Sequence, residues 1–78
     1  MKKYSLYITI KGYREAYMSG QWEADYSCRG FDSDEEALEE LKDWMLSYDG
    51  AETCDIDGAC YCDDDDDRFV GSFDGENL

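Results

Sequence analysis

Residues 31–50, FDSDEEALEELKDWMLSYDG, repeat apolar side chains at helical spacing, and no other stretch restricts the fold of this chain as tightly. Ala37, Leu38, Leu41, Trp44, Met45 and Tyr48 recur three and four apart, so they share one face of a helix. Ser33 followed by Glu36 makes a capping box, in which each side chain can satisfy the other residue's backbone N–H at the helix start. Asp34, Glu35 and Glu36 sit where the helix dipole favours negative charge, and Gly50 supplies a stop. A helix over 34–49 is therefore expected. The same period aligns Glu36, Glu39, Glu40 and Asp43 on its back as one stripe of carboxylates.

Such a helix must bury its apolar face, and the flanking segments have the period of strands. From Lys3 to Lys11, Tyr4, Leu6, Ile8 and Ile10 alternate with Ser5, Tyr7 and Thr9. In residues 21–30, Trp22, Ala24, Tyr26 and Cys28 alternate with Glu23, Asp25, Ser27 and Arg29. Turn signals at Gly12 and Ser19-Gly20 join these runs into a hairpin or meander over 2–30, with Tyr13–Met18 a short strand or an irregular connection. After the helix, residues 51–57 alternate weakly, with Cys54 and Ile56 facing inward. Asp67 to Phe73 offers Phe69 and Phe73 as anchors of a last strand. Gly58 and the aspartates Asp63–Asp67 then form an acidic loop within the 51–73 segment, and residues 74–78 are expected to fray. The expected fold is α+β in a single domain over 1–78: a three- to four-stranded antiparallel sheet with one amphipathic helix packed on one face. At 78 residues the core is small.

Charge narrows the function. The formal net charge is −14, unevenly spread: residues 1–30 sum to +2 and residues 31–78 to −16, an electrically two-faced chain. This balance repels nucleic acid and anionic membrane and steers the protein onto basic surfaces. The opening MKKYSLYITI lacks a small-residue cleavage site, and no apolar run approaches the roughly 18 residues of a membrane span, so a soluble cytoplasmic protein is expected. No histidine is present, which removes Ser-His, Cys-His and histidine acid/base schemes, and no phosphate-cradling glycine loop appears. An enzyme is not expected, nor is a cofactor.

Two metal readings stand as alternatives. Cys54, Cys60 and Cys62, with Cys28 as a fourth, have the ligand type of a thiolate zinc site, although C-x5-C-x-C is not the usual spacing of paired knuckles. TCDIDGACYCDD places Asp55, Asp57 and Gly58 in the register of a twelve-residue calcium loop, with Thr53 at the first position and Asp64 at the last. Buried thiols and a solvated acidic loop are the plain readings of the same residues.

The sharper reading of Asp63, Asp64, Asp65, Asp66 and Asp67 starts from extended chain, where alternate side chains point the same way about 6.6 Å apart. Carboxylates on such a rail imitate a phosphate backbone, and Glu36, Glu39, Glu40 and Asp43 form a second rail. Phosphate-type contacts supply most nonspecific affinity for nucleic-acid sites, so two rails suit a basic channel. Seven tyrosines exceed what a small core can hide, and Tyr7 and Tyr61 are the ones expected to touch a partner.

In its length, its −14 charge, its strand-strand-helix order, the stretch FDSDEEALEELKDWM and the run DDDDD, the chain resembles the small acidic phage proteins that disable host defence, the anti-CRISPR and DNA-mimic anti-restriction proteins. The resemblance implies a stoichiometric inhibitor, a monomer or homodimer in the host cytoplasm, that plugs the DNA- or RNA-binding surface of a nuclease or CRISPR ribonucleoprotein complex. A small calcium or zinc module, and an adaptor that uses its hairpin, are the alternatives.

Overall fold

A computed structural model describes residues 1–10, 22–49 and 51–78. The Tyr13–Met18 segment, the turn signals at Gly12 and Ser19-Gly20, and Gly50 lie outside the described residues. Four strands, β1 (Lys2–Ile10), β2 (Trp22–Phe31), β3 (Ile56–Cys62) and β4 (Arg68–Asp74), form one antiparallel sheet in the order β2-β1-β3-β4. The helix α1 (Asp34–Ser47) packs on one face, which is the expected α+β arrangement. Because β2 and β3 are both antiparallel to β1, they run parallel to each other, and α1 is the crossover that such a pair requires.

The core lies between α1 and the two central strands. Tyr4, Leu6 and Ile8 of β1, Ile56, Cys60 and Cys62 of β3, Phe31 at the end of β2, and Ala37, Leu41 and Met45 of α1 are buried together. Leu38, Trp44 and Tyr48 pack half-buried around them, so the apolar stripe read from the sequence is the face that docks. At the helix start Ser33 Oγ accepts from the Glu36 N–H at 3.2 Å. Gly58 allows the close approach of α1, since a Cβ there would fall 2.5 Å from Met45 Sδ and 3.0 Å from Leu41 Cδ1.

Four expectations are corrected. The segment around Gly58 is not a loop: Ile56, Gly58, Cys60 and Cys62 form the buried side of β3, with glycine present for helix packing rather than for a turn. Cys54 does not face the core but lies exposed in a 3-10 turn, Thr53–Asp55. Of the two expected anchors of the last strand only Phe73 is one, because the bulge opposite Cys60 and Tyr61 reverses the alternation of β4 between Phe69 and Phe73. Phe73 packs against the core while Phe69 is 55% exposed. The C-terminal residues are held rather than frayed: Gly75–Asn77 form a 3-10 turn capped by the Asp74 carboxylate. Gly75 is buried where any Cβ would collide with the carbonyl oxygens of Thr53 and Ile56. Among the described residues no helix is long and apolar enough to cross a membrane.

Candidate partner-binding site

Three acidic surfaces emerge from this frame, and they differ in how their carboxylates are used. The aspartate run does not continue β3 as an extended rail. Asp63–Asp65 wind into a 3-10 turn, and Asp66 and Asp67 follow in the left-handed region at φ 58° and 56°. Aspartate tolerates that region because its short side chain clashes less there than a bulky one. The turn folds the first three carboxylates back over the start of β1. Ser5 Oγ, buried on the sheet, donates to both oxygens of Asp63 at 2.7 and 2.8 Å, and Cys28 Sγ donates to Asp63 at 3.4 Å. The Lys3 backbone N–H donates to Asp64 at 2.9 Å. Asp65 accepts from Lys2 Nζ at 2.9 Å and from Arg68 Nη2 at 3.1 Å.

Arg68 extends this network to the helix. Its guanidinium donates to both oxygens of Asp34, at 3.1 and 3.2 Å, while the buried Tyr4 hydroxyl donates to Asp34 at 2.6 Å. The Arg68 and Tyr4 bonds hold the Asp34 carboxyl below the usual carboxylate range, and the Lys2 and Arg68 bonds do the same for Asp65. Asp34 and burial together push the Tyr4 phenol well above its ordinary value. The electrically two-faced reading therefore fails in space: β1 sits between β2 and β3, so cations of the first half meet anions of the second.

The outer side of α1 behaves differently. Glu36, Glu39 and Asp43 are exposed, and among the described residues no cation pairs with them. Glu40 is drawn aside into an ion pair with Arg29 at 2.8 Å and is half-buried against β2. The stripe expected from the sequence is thus three outward carboxylates plus one directed at the sheet.

The third surface is the sheet face away from α1, which no helix or strand covers among the described residues. Register places Tyr7 opposite Tyr26, and Tyr61 opposite Phe69, all on this face. Their rings form a ladder across all four strands, with centroid separations of 5.1 Å for Tyr26–Tyr7, 5.8 Å for Tyr7–Tyr61 and 5.5 Å for Tyr61–Phe69. Small residues beside it, Ala59 and Ser72, leave an open depression of about 950 Å³. Asp57 and Asp74, cross-strand neighbours, border one end, and Asp63 and Asp67 border the other. Tyr7 and Tyr61, singled out from the sequence, are brought together here; Tyr26 and Phe69 were missed. The pairing of Tyr4 with Arg29 sends Tyr26 and Cys28 outward, against the inward side that their alternation suggested.

The candidate ligands of both metal readings are held apart. Cys60 and Cys62 are buried under α1, Cys28 lies exposed on the far face, and Cys54 lies exposed before β3, so the four thiols do not converge, and no disulfide joins them. Burial raises the Cys60 thiol to about 11. Asp55 and Asp64 stand at opposite ends of β3, seven residues of strand apart, which stretches the would-be calcium loop to roughly 23 Å. Among the described residues no cluster of three or more acidic or cysteine side chains has the arrangement to hold a metal ion. No protein-family model, curated protein or solved structure matches this chain.

Proposed function

We propose that the protein is a stoichiometric, non-enzymatic inhibitor that occupies a basic nucleic-acid-binding surface and presents the outer side of α1 to it. One observation carries this reading. Glu36, Glu39 and Asp43 stand exposed on a rigid helix, without a cation of their own among the described residues, in a chain of net charge −14. Helical rise spaces them about 4.5 and 6 Å along the axis. A row of fixed carboxylates offers a Lys/Arg-rich channel the contacts that phosphates would make, without the entropy cost of ordering a flexible acidic tail.

The target class follows the chain's resemblance to phage anti-defence proteins: a host nuclease or a CRISPR ribonucleoprotein complex. Of the aspartate run, Asp66 and Asp67 remain exposed, while Asp63, Asp64 and Asp65 support the fold.

Pull-down from host lysate at low and high salt tests the proposal. A basic nucleic-acid-binding protein retained at low salt, released at high salt, and weakly held by a Glu36→Gln/Glu39→Gln/Asp43→Asn variant is the expected result. Equal retention by that variant rejects the helix as the contact surface.

A further inference from the structure

We infer that the sheet face opposite α1 is a second binding site, distinct from the helix, for arginine side chains of an extended basic segment of a partner protein. Three features of the face specify this occupant. Tyr26 and Phe69 are 49% and 55% exposed, unusual for large rings, and they continue through Tyr7 and Tyr61 as one ladder. Flat aromatic faces attract guanidinium groups, which are planar and weakly hydrated. Carboxylates at both ends of the depression supply the charge that a cationic segment needs. The chain uses the same chemistry internally, where the Arg29 guanidinium lies 5.6 Å over the Phe31 ring and pairs with Glu40.

Two other occupants fit less well. Aromatic ladders on open sheets also stack nucleobases, but here the phosphates joining those bases would meet Asp63, Asp67, Asp57 and Asp74. A second copy packed face to face would bring the same carboxylates against themselves, in two chains that each carry −14. An extended basic segment meets neither obstacle. Laid across the strands, its alternate side chains repeat about every 6.6 Å, within a long side chain's reach of ring-to-ring steps of 5.1 to 5.8 Å.

The test titrates the full chain with a synthetic peptide of alternating arginine and glycine, following amide chemical shifts. Controls are the same peptide with citrulline in place of arginine, and a single-stranded oligothymidylate. Shifts are expected on all four strands around the ladder with the arginine peptide, and none with citrulline or oligothymidylate. A Tyr26→Ser/Phe69→Ser variant changes only exposed rings, and its native spectrum can be verified first; it should weaken the peptide roughly tenfold, the loss of two cation–π contacts. Asp67→Asn should weaken it a few-fold and reduce its salt dependence, because asparagine also accepts the left-handed backbone there.

The helix variant used above should leave peptide affinity within about twofold, since α1 lies on the other side of the sheet. Peptide binding unchanged in Tyr26→Ser/Phe69→Ser, equal binding of citrulline, or binding of oligothymidylate would each overturn the inference. Loss of peptide binding in the helix variant alone would overturn it too, and would assign cation recognition to α1.

Discussion

The aspartate turn and the outer side of α1 are both acidic, and they put their charge to opposite uses. The turn has the higher charge density in sequence, yet three of its five carboxylates point back into the molecule and accept from Ser5, the Lys3 amide, Lys2 and Arg68. The helix has fewer acids per residue, yet Glu36, Glu39 and Asp43 are left to solvent. Charge available to a partner is therefore set by how many donors the fold supplies to each carboxylate rather than by the run of letters. The contrast has an energetic counterpart: a carboxylate that satisfies a buried donor stabilises the fold, while one that stands near like charges costs a little.

The sharpest way to break this contrast is at Asp63. Asp63→Ala leaves the buried Ser5 hydroxyl without its acceptor and is expected to cost about 1–3 kcal/mol, read as a lower urea midpoint. If Asp63→Ala proves as mild as Glu39→Gln, the turn is not structural.

Next in size is the response to acid. Asp34 and Asp65 have folded-state values held below those of the unfolded chain, chiefly by Arg68 and Lys2 respectively. Their contribution is fully present above the unfolded value of 3.8 and is lost as pH falls through the lower folded values. Stability should therefore decline below about pH 4. Arg68→Gln should flatten that decline by removing a partner common to both carboxylates; an unchanged acid transition in Arg68→Gln would contradict the network.

On the helix the expected change in stability is smaller. Glu36→Gln/Glu39→Gln/Asp43→Asn should shift unfolding free energy by no more than about 0.5 kcal/mol per site, because relief of repulsion at Glu39 and Asp43 offsets the loss of the favourable dipole contact at Glu36. Smallest of all in energy, but informative about which face is which, is the thiol pattern. Cys28 and Cys54 should alkylate under native conditions, while Cys60, raised to about 11 and buried, and Cys62, also buried, should react only on unfolding. Mass spectrometry counting two fast and two slow thiols would support the register; three fast thiols would contradict it.

The parts of the fold legible in the sequence were those with local causes. The helix declared itself through its three-four period and its Ser33 cap, and β1 through strict alternation, so the boundaries of both fall within two residues of those expected. β3 was hidden because Gly58 resembles a turn signal until the helix above it is known. The alternation of β2 was visible but its sense was not. Arg29, Ser27 and Asp25 share the helix side of an edge strand with the buried Phe31, so polarity did not mark the outer face.

The same limit governed the site. Asp63–Asp67 carry no trace of Lys2, Lys3 and Ser5, which lie some sixty positions earlier, so an extended rail was the natural local reading. The aromatic ladder depends on register between four strands and on one bulge. Tyr7 and Tyr61 could be chosen as surface tyrosines, but Phe69 could not be placed beside Tyr61 before the pairing was known.

Urea unfolding of two charge-removed variants, each at low and at high salt, separates structural carboxylates from presented ones. Asp63→Asn/Asp64→Asn/Asp65→Asn is expected to lower the midpoint at both salt concentrations. Glu36→Gln/Glu39→Gln/Asp43→Asn is expected to hold or raise the midpoint, with any gain fading at high salt. If both variants move the midpoint in the same direction by similar amounts, the turn and the helix use their charge alike and the distinction between them fails.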